Sequence, residues 1–303
     1  MEGAGAAART GVTSQLRTGG PATGAIETPS GKAASGENFP VGSWLIRKDL
    51  RRHVHTFYLF ARAADDIADN PALAAAEKVR RLDRMGEILD GASGDDAPSA
   101  VAMRASLAET GVTAQHCHDV LRAFRLDATK LRYRDWDDLM EYCRYSASPV
   151  GRQLLDLHGE DRAAFAPSDA LCSALQVLNH LQDCADDYRQ LDRVYLPCDI
   201  LESCGATIEQ LSGPRLTPGL RRAIDQLLDR TAALIVTAQA LPGAVASFGL
   251  RCESAVIVAL AGRLTVLLRR GDPLAGRVKL AKGDFAAALL AGLWRGIVVG
   301  RPG

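Results

Sequence analysis

The chain of 303 residues has no net charge, because 36 Lys and Arg balance 36 Asp and Glu. No global field therefore draws it to nucleic acid or to an acidic surface, and any anionic ligand must be met by local charge. Cys-x-x-Cys spacing is absent. The seven cysteines (Cys117, Cys143, Cys172, Cys184, Cys198, Cys204 and Cys252) are scattered and odd in number. That pattern excludes a zinc ribbon and a disulfide scaffold and predicts reduced thiols in a cytoplasmic setting. The N-terminus lacks the apolar segment of a signal peptide. No apolar run reaches the roughly 20 residues that a spanning helix needs. The two longest runs, 255–268 and 285–299, are broken by Arg263 and Arg295 and read as buried core helices. Light contact with a membrane surface would fall near the C-terminus. His53-x-His55 and His116-x-His118 place their rings on diverging faces of a helix, so both pairs read as ordinary surface or core histidines, not metal sites.

Alternating runs long enough to build a sheet are also missing, and helical periodicity dominates instead. Residues 1–36, rich in Gly, Ala, Thr, Ser and Pro, read as a disordered leader. Helices are predicted over 50–68, stopped by Asn70-Pro71, and then over 72–89, 99–109 and 114–126. A further helix over 136–157 is interrupted at Ser148-Pro149-Val150-Gly151, either by a kink at Pro149 or by a plain helix boundary. The next, over 168–188, starts from a cap at Pro167-Ser168. Arg193-Val194-Tyr195-Leu196-Pro197 reads as an extended link, followed by helices over 217–240, 244–270 and 284–298. The expectation is one all-α domain over 37–303, its helices arranged around a central cavity.

Two stretches carry the chemistry. In Tyr58-Leu-Phe-Ala-Arg62-Ala-Ala-Asp65-Asp66-Ile-Ala-Asp69, a helix at roughly 100° per residue places Tyr58, Arg62, Asp65 and Asp69 on one stripe. Phe57, Phe60, Ala64 and Ile67 lie on another side. In Gln176-Val-Leu-Asn179-His-Leu-Gln-Asp183-Cys-Ala-Asp186-Asp187, the residues Gln176, Asn179, Asp183 and Asp187 share a stripe. Like charges four apart on a helix repel, so each pair of carboxylates calls for something positive between them. Magnesium takes oxygen ligands in near-octahedral geometry and is held by a few carboxylates plus substrate phosphate oxygens. Asp65 and Asp69 on one wall, with Asn179, Asp183 and Asp187 on the other, suit that role. The metal would neutralise a diphosphate leaving group, and Arg62 and Arg193 would take remaining phosphate oxygens. The competing reading makes each cluster a solvated helix face. Asp66 and Asp186 point elsewhere and read as structural. Loss of diphosphate from an allylic or cyclopropylcarbinyl carbon would leave a cation that survives only between apolar or aromatic walls.

These residues resemble the squalene and phytoene synthase family over about 37–299. The two aspartate-rich stretches resemble the family's paired motifs, and Arg193-Val-Tyr195-Leu196-Pro197 resembles the segment after the second. Tyr142-Cys-Arg-Tyr145-Ser146-Ala147-Ser148-Pro149-Val150-Gly151 occupies the place of its Val-Ala-Gly-x-Val-Gly element, and Arg277-Val-Lys-Leu280 resembles its late basic element. The resemblance implies the all-α isoprenoid synthase bundle, with two or three Mg²⁺ ions held by Asp65, Asp69, Asn179, Asp183 and Asp187. It implies diphosphate contacts from Tyr58, Arg62, Gln176, Arg193, Tyr195 and Arg277. Tyr142, or else Tyr145, would lie near the rearranging cation, and Phe39, Ser43, Val150 and Leu154 would line a hydrocarbon tunnel. Gln182 stands where the family usually has Arg, immediately before Asp183. Glu37-Asn-Phe-Pro-Val, Asn179-His-Leu-Gln-Asp-Cys and Leu191-Asp-Arg-Val-Tyr-Leu-Pro resemble the bacterial hydroxysqualene synthase branch. That branch converts presqualene diphosphate to hydroxysqualene without a reductant, so no NADPH is expected. The absent Gly-x-Gly-x-x-Gly turn does not itself decide this, because squalene synthases of this fold bind NADPH without a Rossmann domain. The alternatives are a head-to-head prenyltransferase acting on two farnesyl or geranylgeranyl diphosphates and a non-catalytic polyprenyl binder. Partners implied are enzymes before and after it in hopanoid biosynthesis and the inner face of the cytoplasmic membrane, with no nucleic acid.

Overall fold

The computed structural model describes residues 26–27 and 46–298, and every regular element among them is a helix apart from one isolated bridge. In chain order these are α1 (Arg51–Asp69), α2 (Ala75–Leu89), α3 (Pro98–Thr110), α4 (Gln115–Thr129), α5 (Trp136–Ser146), α6 (Ser148–His158), α7 (Phe165–Leu191), α8 (Cys198–Ser203), α9 (Pro218–Ala238), α10 (Leu241–Ala244), α11 (Phe248–Arg270) and α12 (Lys282–Val298). The predicted helices are all present, most with ends shifted by one to three residues, and the fold is the all-α bundle the sequence implied. Among the described residues no helix is long and apolar enough to cross a membrane.

Two apolar clusters build the interior. Phe57, Phe60, Ala64 and Ile67 of α1 recur at helical spacing and meet Leu82, Met85 and Ile88 of α2, Met103 of α3 and Leu121 of α4. Leu139 and Cys143 of α5, with Leu171, Leu178 and Leu181 of α7, join the apolar faces of α9 and α11 in the second. Each fully buried Leu or Ile contributes about 1.5–3 kcal/mol. Helices α4 and α6 serve both clusters. On α6, Leu155 and Leu157 lie two apart, on opposite sides of the helix, and enter the second and first cluster respectively. Helix α1 packs mainly on α2, α3 and α4, and α7 mainly on α5, α6, α9 and α11. The two acidic stripes thus sit on helices belonging to different clusters.

Local chemistry explains where the elements begin and end. Pro149 falls in the first turn of α6, where its missing donor costs nothing, so of the two readings the plain helix boundary holds, with a joint between two helices at Ala147. The start of α7 corrects the expected cap at Pro167-Ser168. The Asp161 side chain accepts from Ala163 N (2.7 Å) and sets a 3-10 turn over Arg162–Ala164 that runs straight into Phe165. Ser168 lies inside the helix and faces Gly151. A Cβ on Gly151 would stand 2.7 Å from Cys172 Sγ and closer still to Ser168 Oγ, so α6 and α7 approach through that glycine. Gly151→Ala would gain about 1 kcal/mol of helix propensity but overpack the contact at a cost of about 1–3 kcal/mol. A net loss of up to about 2 kcal/mol is expected in denaturant melts; a more stable variant would show that Ser168 and Cys172 swing clear.

Helix α7 ends at Asp192, whose φ of 52° is left-handed, a region Asp tolerates better than most residues. Asp192 N donates to Tyr188 O and Arg193 N to Asp187 O, both at 3.1 Å, which turns the chain back along the helix. Val194 N then donates to Leu131 O (2.9 Å) and Cys198 N to Tyr133 O (2.9 Å), pinning the link beside residues 131–134. Near the other end of the chain, Ile26 is buried and Glu27 accepts from Ser99 N (3.1 Å) and Oγ (2.6 Å) at the start of α3. These two residues of the expected leader are fixed by packing and capping; the rest of 1–36 lies outside the described residues, as do Phe39 and Ser43.

Candidate active site

The acidic end of α1 is held by guanidinium groups. Arg62 Nη1 lies 3.6 Å from Asp65 Oδ2 and its Nε 3.2 Å from Asp66 Oδ1, so Arg62 answers the repulsion its stripe creates. Asp66 is buried at the side of that stripe. One turn on, Asp69 Oδ1 accepts from Arg193 Nη1 (2.6 Å), while Arg193 Nη2 donates to Ala68 O (2.9 Å). Lys78 Nζ donates to the same carbonyl (2.8 Å), placing a second cation at the negative end of the α1 dipole.

On α7, Asp183 Oδ2 accepts from Arg277 Nη2 (3.1 Å), and Arg277 Nε lies 3.1 Å from Asp183 Oδ1. Gln182 is buried, and its amide donates to Val278 O (2.5 Å). The residue replacing the family's usual Arg therefore ties down the segment that carries Arg277. Among the described residues no Lys or Arg side chain pairs with Asp187 in this way. Burial, then the charges of Asp183 and Asp69, push its carboxyl up to about 8, against the opposing pull of Arg193. The α1 and α7 stripes therefore sense each other's charge, although they sit on separate clusters. Among the described residues no three His, Cys, Asp or Glu side chains are gathered as ligands of one ion. The oxygen donors nonetheless fit a hard divalent cation, because burial and the neighbouring carboxylates hold the Asp187 carboxyl above the usual range, a repulsion that a cation would compensate.

Beside these acids stands a wall of rings. His180 stacks on Tyr195 with centroids 3.5 Å apart and planes at 12°. Tyr142 lies 5.5 Å from Tyr195 and 5.3 Å from Tyr133. Asp127 of α4 binds two of them, accepting from Tyr142 Oη (2.9 Å) and Tyr195 Oη (2.8 Å). Burial raises the Asp127 carboxyl to about 6, opposed by the charge of Arg193 and the two phenol hydrogen bonds. Burial, reinforced by Arg193, lowers His180 to about 3, so the imidazole is neutral. The Gln176 amide donates to its Nε2 (3.1 Å), which leaves the ring proton on Nδ1, 4.0 Å from Asp187 Oδ2. Asp69, Lys78, Asp127 and Arg193 line a polar cleft of about 350 Å³ next to the wall.

The structure thus groups Asp69, Asp187, Gln176, Tyr142, Tyr195 and Arg193, and sets Asp183 with Arg277 alongside. Tyr145 instead lies under the guanidinium of Arg122, 3.8 Å from its ring centroid. Tyr58 stacks on His55, with centroids 6.3 Å apart. Asn179 is partly buried on its expected stripe. Val150 is 47% exposed while Leu154 packs against the second cluster, so these two do not share one environment. The histidine pairs split between different partners: His53 meets Ser106 (2.8 Å), His116 meets Asp156 (2.7 Å) and His118 meets Asp90 (2.7 Å). All seven thiols are free, and burial raises those of Cys117 and Cys184 to about 12, which makes them inert.

Asp127, Tyr133 and His180 were not singled out from sequence. A signal for Asp127 existed: it stands seven residues after Val120 and four after Ala123, on the buried stripe of α4. A carboxylate on an apolar stripe needs buried donors.

Comparison with known proteins places this geometry. The squalene/phytoene synthase family profile matches residues 32–284. A protein of Rhodopseudomonas palustris named hydroxysqualene synthase is 46% identical over 266 residues, 88% of this chain and 91% of that one. One of the same name from Sinorhizobium fredii is 43% identical over 245 residues, 81% and 84% of the two chains. The crystal structure of squalene synthase HpnC from Alicyclobacillus acidocaldarius superposes with a TM-score of 0.67 at 34% identity, covering 76% of this chain and 87% of that one.

Proposed function

The chain belongs to the squalene/phytoene synthase family, and from that premise we propose that it converts presqualene diphosphate to hydroxysqualene and diphosphate. The choice within the family rests on the relatives named hydroxysqualene synthase, which match over most of their length. The observation that carries the chemistry is the Arg193–Asp69 pair. It joins the first acidic motif to the link after the second and sets both against buried phenols.

Asp65, Asp69, Asn179, Asp183 and Asp187 would hold Mg²⁺. When bound, the metal would neutralise the diphosphate and improve it as a leaving group. Arg62, Arg193 and Arg277, which pair with carboxylates here, are placed to take diphosphate oxygens once those carboxylates turn to a cation. Neutral His180 adds no charge to a wall that must tolerate a carbocation, and the faces of Tyr142 and Tyr195 attract one through their quadrupoles. Ionisation, opening of the cyclopropyl ring and capture of water need no reductant, so NADPH is not required. A reaction of this kind must be fed by a head-to-head condensation of prenyl diphosphates, and its alcohol must be consumed by a reduction. Such greasy substrates and products suit contact with a membrane surface, and Leu290 and Trp294 of α12, each 71% exposed, are the residues that would make it.

Product analysis tests the proposal. With Mg²⁺ and without NADPH, purified protein is expected to turn presqualene diphosphate into hydroxysqualene, to leave farnesyl diphosphate unchanged, and to stop when the metal is chelated. Formation of presqualene diphosphate or phytoene-type hydrocarbons from prenyl diphosphates would move the enzyme to the head-to-head transferases. Silence with both substrates would make it a binding protein.

A further inference from the structure

Tyr133 belongs to the ring cluster but has no part in the chemistry above. It is 1% exposed, and its Oη has no hydrogen-bond partner among the described residues. A buried hydroxyl in that position is costly unless something other than the polypeptide meets it. Its ring stands 5.3 Å from Tyr142 and 5.5 Å from Tyr195. Those two phenols each direct their only proton to Asp127, at 2.9 and 2.8 Å. Their oxygens therefore offer lone pairs alone, while Tyr133 carries a proton with no acceptor. A donor and two acceptors in one dry cluster complement a water molecule, which needs polar partners of both kinds to stay buried.

Resting on the function proposed above, we propose that Tyr133, Tyr142 and Tyr195, clamped by Asp127, hold the water that the rearranged cation captures. A water that receives a hydrogen bond from Tyr133 and donates to Tyr142 keeps one lone pair for the cation. That pair forms the new carbon–oxygen bond. An O–H bond of the resulting oxonium then breaks, its proton passing to Tyr142 Oη as the proton of Tyr142 moves to Asp127 Oδ2. Cation, water and carboxylate become a neutral alcohol and a neutral carboxylic acid, so charge and electrons balance without an oxidant or reductant. Asp127 returns its proton to solvent through the cleft it lines with Asp69, Lys78 and Arg193. Tyr133, Tyr142 and Tyr195 touch the water, Tyr195 by accepting its second hydrogen; Asp127 acts through Tyr142 and is a positioning residue.

The test compares the full-length wild type with Tyr133→Phe and Asp127→Asn on presqualene diphosphate and Mg²⁺, following diphosphate release and the ratio of hydroxysqualene to hydrocarbon products. Tyr133→Phe removes an oxygen that no group among the described residues binds, so folding should not suffer. Diphosphate release is expected to stay within about threefold of wild type, while the alcohol share falls about tenfold as proton loss replaces capture, the size of effect expected from one net hydrogen bond. Asp127→Asn keeps an acceptor oxygen but cannot take the proton, and should shift the ratio the same way. If wild type makes the alcohol and Tyr133→Phe keeps its share, the water site is wrong and the reaction stands. If Tyr133→Phe loses the alcohol while a folded Asp127→Asn does not, the route to Asp127 is wrong, and diphosphate is the better acceptor. A wild type that makes no alcohol overturns the reaction itself and this role with it.

Discussion

Asp187→Asn is expected to lower turnover of presqualene diphosphate by about 100- to 1000-fold, the cost of losing one group that stabilises developing charge, and yet to make the metal-free protein more heat-resistant at pH 8. Both effects come from the same burial. The carboxyl is pushed up to about 8 by desolvation and by Asp183 and Asp69, from 3.8 in a free side chain. Between those two values the folded protein keeps a proton that the unfolded chain has released. The unfolded state therefore binds fewer protons, and the contribution of Asp187 to stability falls as pH rises through this window. The upper limit is about 1.4 kcal/mol for each pH unit. Asn at this position cannot ionise and escapes that loss. The difference in melting temperature between variant and wild type in chelator should widen from pH 5 to pH 8. Added Mg²⁺ should reverse it, because a ligand that binds only the folded wild type stabilises it by mass action. A difference that stays flat across this range, or wild-type melting that ignores Mg²⁺, would remove Asp187 from the metal site. Turnover near the wild-type level would do the same.

What could be read from sequence and what could not divide along a physical line. Helix periods are local, and they placed Asp65, Asp69, Asp183 and Asp187 on their stripes and the bundle's helices within a few residues. The end of α7 ran three residues past its predicted limit because Asp192, not a glycine, takes the left-handed turn. Pairings across long stretches of chain have no period. Nothing near Asp69 announces that its guanidinium partner lies 124 residues away, or that Gln182 reaches the carbonyl of Val278. Asp127 gives no paired-acid signal in the sequence for a related reason. It stands alone, with no second acid at helical spacing on its stripe, and its meaning depends on Tyr142 and Tyr195 arriving from α5 and from the link after α7. The acids that face the candidate site are therefore of two kinds. Clustered acids advertise themselves by repulsion within a helix, whereas a solitary buried acid is recognised only once its donors are known.

Arg193→Ala should be the most damaging single substitution for the fold around the site, and should also abolish turnover. Arg193 is 6% exposed and holds the carboxylate of Asp69 and the carbonyl of Ala68. Its charge is also the first factor opposing the burial that raises Asp127. Truncating it strands those carboxylates in a poorly hydrated place, and breaking one side of a buried pair costs about 3–5 kcal/mol. At about 2–4 °C per kcal/mol for chains near this size, melting should fall by roughly 10 °C. Arg193→Lys keeps a charge but not the two-pronged fork, so it should recover part of the stability and little of the activity. The pair can be isolated with Asp69→Asn. If the cost of Arg193→Ala is mostly a stranded carboxylate, adding Asp69→Asn should restore about 1–3 kcal/mol, a coupling expected of residues in one ion pair. Strict additivity of the two substitutions would mean that Arg193 stabilises the site through Ala68 and Asp127 instead, and the bridge between the two acidic motifs would be a contact without energetic weight. Turnover separates the two roles further. Arg193→Lys is the variant to read for this, because Asp69→Asn itself removes a proposed metal ligand: a recovery of melting without a recovery of kcat is the result that assigns Arg193 to the substrate as well as to the fold.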